Sequence, residues 1–290
     1  MKHFARLLLP FLLPLCLAGC SGKLTFSSKT TSSPCDQNST LFSEGTTYQV
    51  DSKGSITQIG GPISIPVVQF TNSATSTILK PTLYAGVQAS DIHTVGTMTE
   101  TLANLDGSSI DATNSSTGDI YQVLGADNLT TYGSAGVLSS QVGSNPALIS
   151  TSHSSYAPAT TVPSTPILGT TYGPEKYAAT LIVSLNGGSP TTNVDDEVVS
   201  RTYSSETITV AAGTFLACKQ SMTSSATDTT LGDSTSHGTS EVWVVGSGAC
   251  KGMELKRTSD ETVTRSGTSL EEQTSEEAVS LTLNGTSCTP

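Results

Sequence analysis

Apolar residues in this chain recur at every second position over short runs, and glycine, proline, asparagine and aspartate separate one run from the next. Thr47-Tyr48-Gln49-Val50, Ser55-Ile56-Thr57-Gln58-Ile59 and Asp119-Ile120-Tyr121-Gln122-Val123-Leu124 alternate in this way. Ser52-Lys53-Gly54, Gly60-Gly61-Pro62, Asp106-Gly107 and Gly125-Ala126-Asp127 read as the turns between such runs. A period of two with turn punctuation predicts half-buried strands. Further along, Tyr177 to Leu185 ends at Asn186-Gly187-Gly188, a hairpin signal. Strands are predicted over Glu206–Val210, Phe215–Met222 and Glu241–Val245, then at Met253/Leu255/Arg257 and Val279/Leu281/Leu283. The polar stretch 223–238 reads as a connection. No fixed-period repeat stands out, and no amphipathic helix longer than a couple of turns. The expected fold is therefore all-β, with antiparallel curved sheets arranged as a sandwich or an open half-barrel. Three prolines between Pro158 and Pro166 mark an internal boundary between a β region over 41–160 and another over 167–290, which either stand apart or form one domain.

The N-terminus follows a different pattern. Lys2 and Arg6 precede an apolar run from Leu7 to Leu17 that closes on Leu17-Ala18-Gly19-Cys20. A basic start, a short apolar run and small residues before a cut describe an export signal, too short to span a bilayer as a mature helix. Leu17-Ala18-Gly19-Cys20 resembles the lipobox of bacterial lipoproteins. That resemblance implies removal of residues 1–19, diacylglycerol on the Cys20 thiol, acylation of the new amino terminus and attachment to a membrane through lipid. Ser21 after that cysteine resembles the residue that lets such a protein reach the outer membrane. Residues 20–40, rich in Ser and Thr, read as a flexible lipidated tether.

Composition sharpens this picture in two respects. Ser and Thr make up 90 of the 290 residues, which favours pleated, half-buried surfaces over helices. The formal net charge is −11, and loss of residues 1–19 removes Lys2 and Arg6 but no acid, taking it to −13. A chain of that sign repels phosphate backbones, so nucleic acid is not an expected partner.

Cys16 leaves with the signal and Cys20 carries lipid, which leaves Cys35, Cys218, Cys250 and Cys288 in an oxidising compartment. Four such thiols predict two disulfides. Three connectivities are open. Neighbouring strand-like segments favour Cys218–Cys250, with Cys35–Cys288 tying the chain ends together. No CxxC pair occurs, so no zinc site or other cofactor is expected.

Thr207 to Phe215, with Cys218-Lys219, Trp243 and Gly248, resembles a pattern in uncharacterised β-rich envelope lipoproteins: a strand, a turn of the form x-x-Gly-Thr-Phe and a returning strand, with a later tryptophan. The resemblance implies an open, curved sheet and no assigned chemistry. Gly213 suits a positive-φ turn. Phe215 and Trp243 are large enough to fill a concave side and are the candidate contacts for an apolar ligand, with core packing the stronger expectation for both. The Ser247–Lys251 stretch departs from the pattern.

Catalytic constellations are weak. Leu231-Gly232-Asp233-Ser234 with His237 has the letters of a GDSL hydrolase block but the setting of a Ser/Thr loop. Asp91 and His93 share a strand face without a visible third ligand, and His153 and His237 stand alone. Asp195-Asp196-Glu197 and the run Glu271-Glu272, Glu276-Glu277 read as solvated charge. The expected function is non-catalytic: an envelope lipoprotein binding a protein partner or an apolar ligand, with surface adhesion and an unadvertised enzyme as alternatives.

Overall fold

The computed structural model describes residues 33–60, 67–103, 109–230 and 234–290. The expected signal, Cys20 and most of the expected tether therefore lie outside the described residues. Among those described, long strands follow one another as a meander. They are β1 (Thr47–Gly60), β2 (Val68–Tyr84), β3 (Val87–Ala103), β4 (Ser109–Leu124), β5 (Asn128–Val142) and β6 (Leu148–Pro163). The path continues through β7 (Thr171–Leu185), β8 (Thr191–Val210), β9 (Gly213–Asp228), β10 (Ser234–Val245), β11 (Glu254–Arg265) and β12 (Thr268–Leu283). A short β13 (Thr286–Ser287) pairs back on β12. Every neighbouring pair is antiparallel, and β12 pairs with β1 over Tyr48↔Leu283 to Gly60↔Leu270. That last pairing closes the sheet into a barrel, in place of the sandwich or open half-barrel expected. Closure removes both unpaired sheet edges. The strands on either side of Pro158–Pro166 belong to this one sheet, with Ala157↔Ala178 joining β6 to β7.

Two turn expectations meet different fates. Asn186 and Gly187 both have positive φ, 49° and 70°, as a two-residue hairpin turn requires. Ser52-Lys53-Gly54, by contrast, is no turn but the middle of β1. The register slips between Asp51 and Ser52, so that Val279 on β12 faces no partner. Gly54 is required there for a separate reason: a Cβ would lie 2.2 Å from the Ser275 carbonyl oxygen and 2.4 Å from the Phe70 ring. The expected connection at 223–238 is likewise mostly strand, since β9 runs to Asp228 and β10 begins at Ser234.

The core collects at one end of the barrel. Tyr48, Ile78, Ile92, Ile120, Leu129, Leu281 and Leu283 come from the strand ends that meet there, and Leu41 and Phe42 of a single 3-10 turn (Ser39–Phe42) pack among them. Asn38 caps that turn by accepting from the Thr40 N–H at 3.1 Å. Disulfides secure the same end. They join Cys35 to Cys218 and Cys250 to Cys288, not the pairs favoured from the sequence. The reason lies in the register. Cys218 faces Val244 on β10, whereas Cys250 lies in the turn beyond the end of that strand and meets the C-terminal segment instead.

Candidate ligand-binding cavity

Above the apolar end the barrel is not filled. A cavity of about 1540 Å³ runs through it, lined from each of β1 to β12 and reaching Arg265, Ser266 and Thr268 at the β11–β12 hairpin. Alternation decides which side chains face it. On β1 these are Tyr48, Val50, Ser52 and Gln58, and on β4 Asn114 and Ser116, while Thr47, Gln49, Lys53, Thr113 and Ser115 have the opposite parity.

Hydrogen bonds order the lining. Ser52 and Asn72 donate to Oε1 of Glu276, Gln58 donates to Glu272 at 3.0 Å, and Ser76 bonds Thr94 at 2.8 Å. Arg257 clamps Glu254 through two nitrogens, at 2.6 and 3.0 Å. The Tyr177 hydroxyl donates to Glu197 at 2.6 Å, and Arg201 reaches Glu175 at 2.7 Å. Burial raises the carboxyl pKa of Glu197, Glu254 and Glu261, only partly offset by Tyr177, Arg257 and Ser236 respectively. Glu272 adds to the upward pull on Glu261. Tyr203, deeper on β8, is pushed up to about 12 by burial.

An apolar patch adjoins this polar lining. Ile56, Val68, Phe70 and Met98 form a separate buried cluster, of which Phe70 and Met98 reach the cavity.

The residues singled out in the sequence divide between the core, the lumen and the outer wall. Phe215 and Trp243 are buried members of the main core, 4% and 6% exposed, and neither lines the cavity. Both have the parity opposite to their lumen-facing neighbours, Gln220 and Val242. Trp243 is held between the Lys219 and Lys256 ammonium groups, 4.9 and 5.2 Å from its ring centre, and donates to Glu206 at 2.5 Å. Gly213 does take a positive φ, 138°. The supposed solvated acids are the larger correction: Asp195 and Glu197 face the lumen from β8, and Glu272 and Glu276 do so from β12. Spacing by two along β12 was the available signal. It was masked because Ser and Thr populate both faces of that strand.

On the outer wall, His93 meets Asp119 of β4 at 2.7 Å and Asp91 lies beside them, its carboxyl pushed to about 6 by burial and by Asp119. Among the described residues no cluster of three His, Cys, Asp or Glu is placed to hold a metal ion. His237 is an exposed residue within β10, and Ser234 opens that strand, while Leu231 to Asp233 lie outside the described residues.

No protein-family model matches the chain, and none of the curated proteins matches it. Among solved structures it is similar to a Bacteroides fragilis protein with a YmcC-like fold, at 11% identity over 82% of this chain and 96% of that one, with a TM-score of 0.33. It is also similar to the β domain of the Bordetella autotransporter BrkA, at 9% identity over 81% of this chain and 100% of that one, with a TM-score of 0.35.

Proposed function

We propose that the protein is a cell-envelope lipoprotein, tethered by lipid on Cys20, whose barrel is a non-catalytic receptor for a small amphiphile held in its lumen. One observation carries the reading: a cavity of about 1540 Å³, in the size range of ligand sites or larger, combining an apolar patch with convergent polar groups above a sealed apolar end. The outer face of β1 favours a tethered over a membrane-embedded barrel. A lipid-facing barrel presents an apolar band, whereas Thr47, Gln49, Asp51, Lys53, Ser55 and Thr57 follow one another on the outer face of β1 before Ile59. Native mass spectrometry of the full chain purified from its own envelope tests the receptor reading. A stoichiometric small molecule released on activation is the expected result, and a bare mass with an empty extract would overturn it.

Outer-membrane residence is part of the same proposal and rests on Ser21. Ser21→Asp should move the protein to the inner-membrane fraction, and unchanged sedimentation would remove the sorting argument.

A second reading, adhesion, is favoured by a hydroxyl-lined groove of about 750 Å³ on the outer wall. Its rows run across strands, as in Thr202, Ser221, Glu241, Thr258, Ser275 and Ser55. Protease digestion of intact cells separates the readings, since an adhesin is cut and a periplasmic receptor is spared.

A further inference from the structure

The first described segment, residues 33–46, crosses one mouth of the barrel, and its attachments fall on well-separated parts of the ring of strands. Cys35 is bonded to Cys218 on β9, and the Gln37 N–H donates to the Ser164 carbonyl, just beyond β6, at 2.8 Å. Asn38 donates to the Lys251 carbonyl at 2.8 Å in the turn between β10 and β11, and the Lys251 ammonium donates to the Ser33 carbonyl at 2.6 Å. On the far side, the Gly45 N–H donates to the Ile78 carbonyl of β2 and the Ile78 N–H to the Thr46 carbonyl, both at 2.9 Å. Leu41 and Phe42 lie between these attachments, buried in the main core. This end of the barrel is a floor, and its apolar side chains exclude water.

The opposite end, the rim, is built differently. There the cavity lining continues to the terminal residues of strands, Gly60 of β1, Asp228 of β9, Ser234 of β10 and Thr268 of β12. Among the described residues the links at the rim, 143–147, 186–190 and 266–267, are short and exposed, and none crosses the mouth.

The chain enters the fold at the floor. Twelve residues lie between Cys20 and Ser33. As a relaxed coil a tether of that length spans about 20 Å, and at full stretch about 43 Å. Tilted strands of 16 residues, such as β4, make the barrel about 40 Å tall. Turning the rim toward a membrane that holds Cys20 would therefore pull the tether almost to its limit, whereas the floor reaches that membrane with the coil relaxed.

We propose that the lumen opens only at the rim, and that the rim faces away from the membrane that holds the acyl chains, so that the barrel takes its ligand from the aqueous phase and not from that membrane. This rests on the readings of the barrel as a lumen receptor and of Cys20 as its anchor.

The test uses the full lipidated chain in vesicles of phosphatidylethanolamine and phosphatidylglycerol, with a maleimide on the headgroup of some of the phosphatidylethanolamine. Ser247→Cys places a thiol in the exposed β10–β11 turn at the floor, Thr268→Cys places one at the rim, and Ser236→Cys places one in the lumen. Ser247→Cys should couple to the lipid maleimide at least about tenfold faster than Thr268→Cys, because a linker that cannot span the gap has almost no effective concentration. Thr268→Cys and Ser236→Cys should react with soluble N-ethylmaleimide as fast on vesicles as after the vesicles are dissolved in detergent. Lipid coupling of Thr268→Cys as fast as that of Ser247→Cys would overturn the orientation. A Ser236→Cys thiol that the soluble reagent reaches only after dissolution, or never, would overturn the opening at the rim. A chain that stays off the vesicles would overturn the anchor and this orientation with it. An empty native mass spectrum alongside the expected coupling pattern would overturn the receptor reading alone.

Discussion

At the scale of single residues, two aspartates on the outer wall act on stability in opposite senses. Asp51, at the β12–β1–β2 seam, accepts from Ser280 at 2.6 Å, Ser73 at 2.7 Å and Gln49 at 2.9 Å, and these bonds hold its carboxyl below the usual range. A depressed folded pKa means stability that is present above the unfolded value and lost as pH falls through the folded one. Asp91 is the reverse case. Its folded value of about 6 exceeds the ordinary 3.8, so between those values the folded state holds the extra proton and stability declines as pH rises. Asp91→Asn should therefore raise the melting temperature at pH 7 and flatten its change between pH 4 and 6. Asp51→Asn should lower it at pH 7 and converge with wild type in acid. Thermal unfolding from pH 7 down to about pH 2 checks both, and identical profiles for all three proteins would contradict the argument. Gly54→Ala tests packing rather than charge. With a backbone oxygen and an aromatic ring where the methyl group would go, the expected loss is about 1–3 kcal/mol, read as a melting point several degrees lower.

Strands and their links show where sequence reasoning works and where it stops. Asn186-Gly187 announces its hairpin because only residues tolerant of positive φ make that turn, and its signal is local. Ser52-Lys53-Gly54 misleads for the same local reason: its letters suit a turn, while the cause of Gly54 is Phe70 on the next strand. Acids on β8 and β12 look solvated because Ser and Thr alternate with more Ser and Thr, leaving no apolar face to mark the inside. Closure was hidden too, since pairing of β1 with β12 joins the two ends of the meander. Disulfide pairing depends on the same global geometry. In the chain-entropy account the Cys250–Cys288 link, closing 38 residues, is worth about 4 kcal/mol and Cys35–Cys218, closing 183, about 5 kcal/mol. Non-reducing peptide mapping should recover these two pairs. Cys250→Ser with Cys288→Ser should lower the unfolding midpoint while leaving the other link intact, and recovery of a Cys218–Cys250 peptide would refute the pairing.

For the whole molecule the decisive contrast is between what the barrel turns outward and what it keeps inside. A barrel that spans a bilayer is apolar outside and polar within, and its strands alone hold it in the membrane. Here both faces are rich in hydroxyl groups, the outward row on β1 includes Lys53 paired with Glu277 at 3.2 Å, and the main buried apolar core gathers at one end. Burying the charged and hydroxylated outer row of β1 in hydrocarbon would cost free energy, although Leu83, Val95 and Ile149 are exposed on other strands. In the proposed reading attachment comes from acyl chains on Cys20, of which one holds marginally and two or more hold firmly. Exchange of residues 1–20 for a leader cut by the general signal peptidase removes the lipid and leaves every described residue in place. The exchanged protein should appear in the soluble periplasmic extract, still folded and with both disulfides formed, and in a detergent phase separation it should leave the detergent layer that retains the lipidated form. Persistence in the membrane fraction after alkaline washing would mean that the strands themselves hold the barrel in lipid, and would overturn the tethered reading.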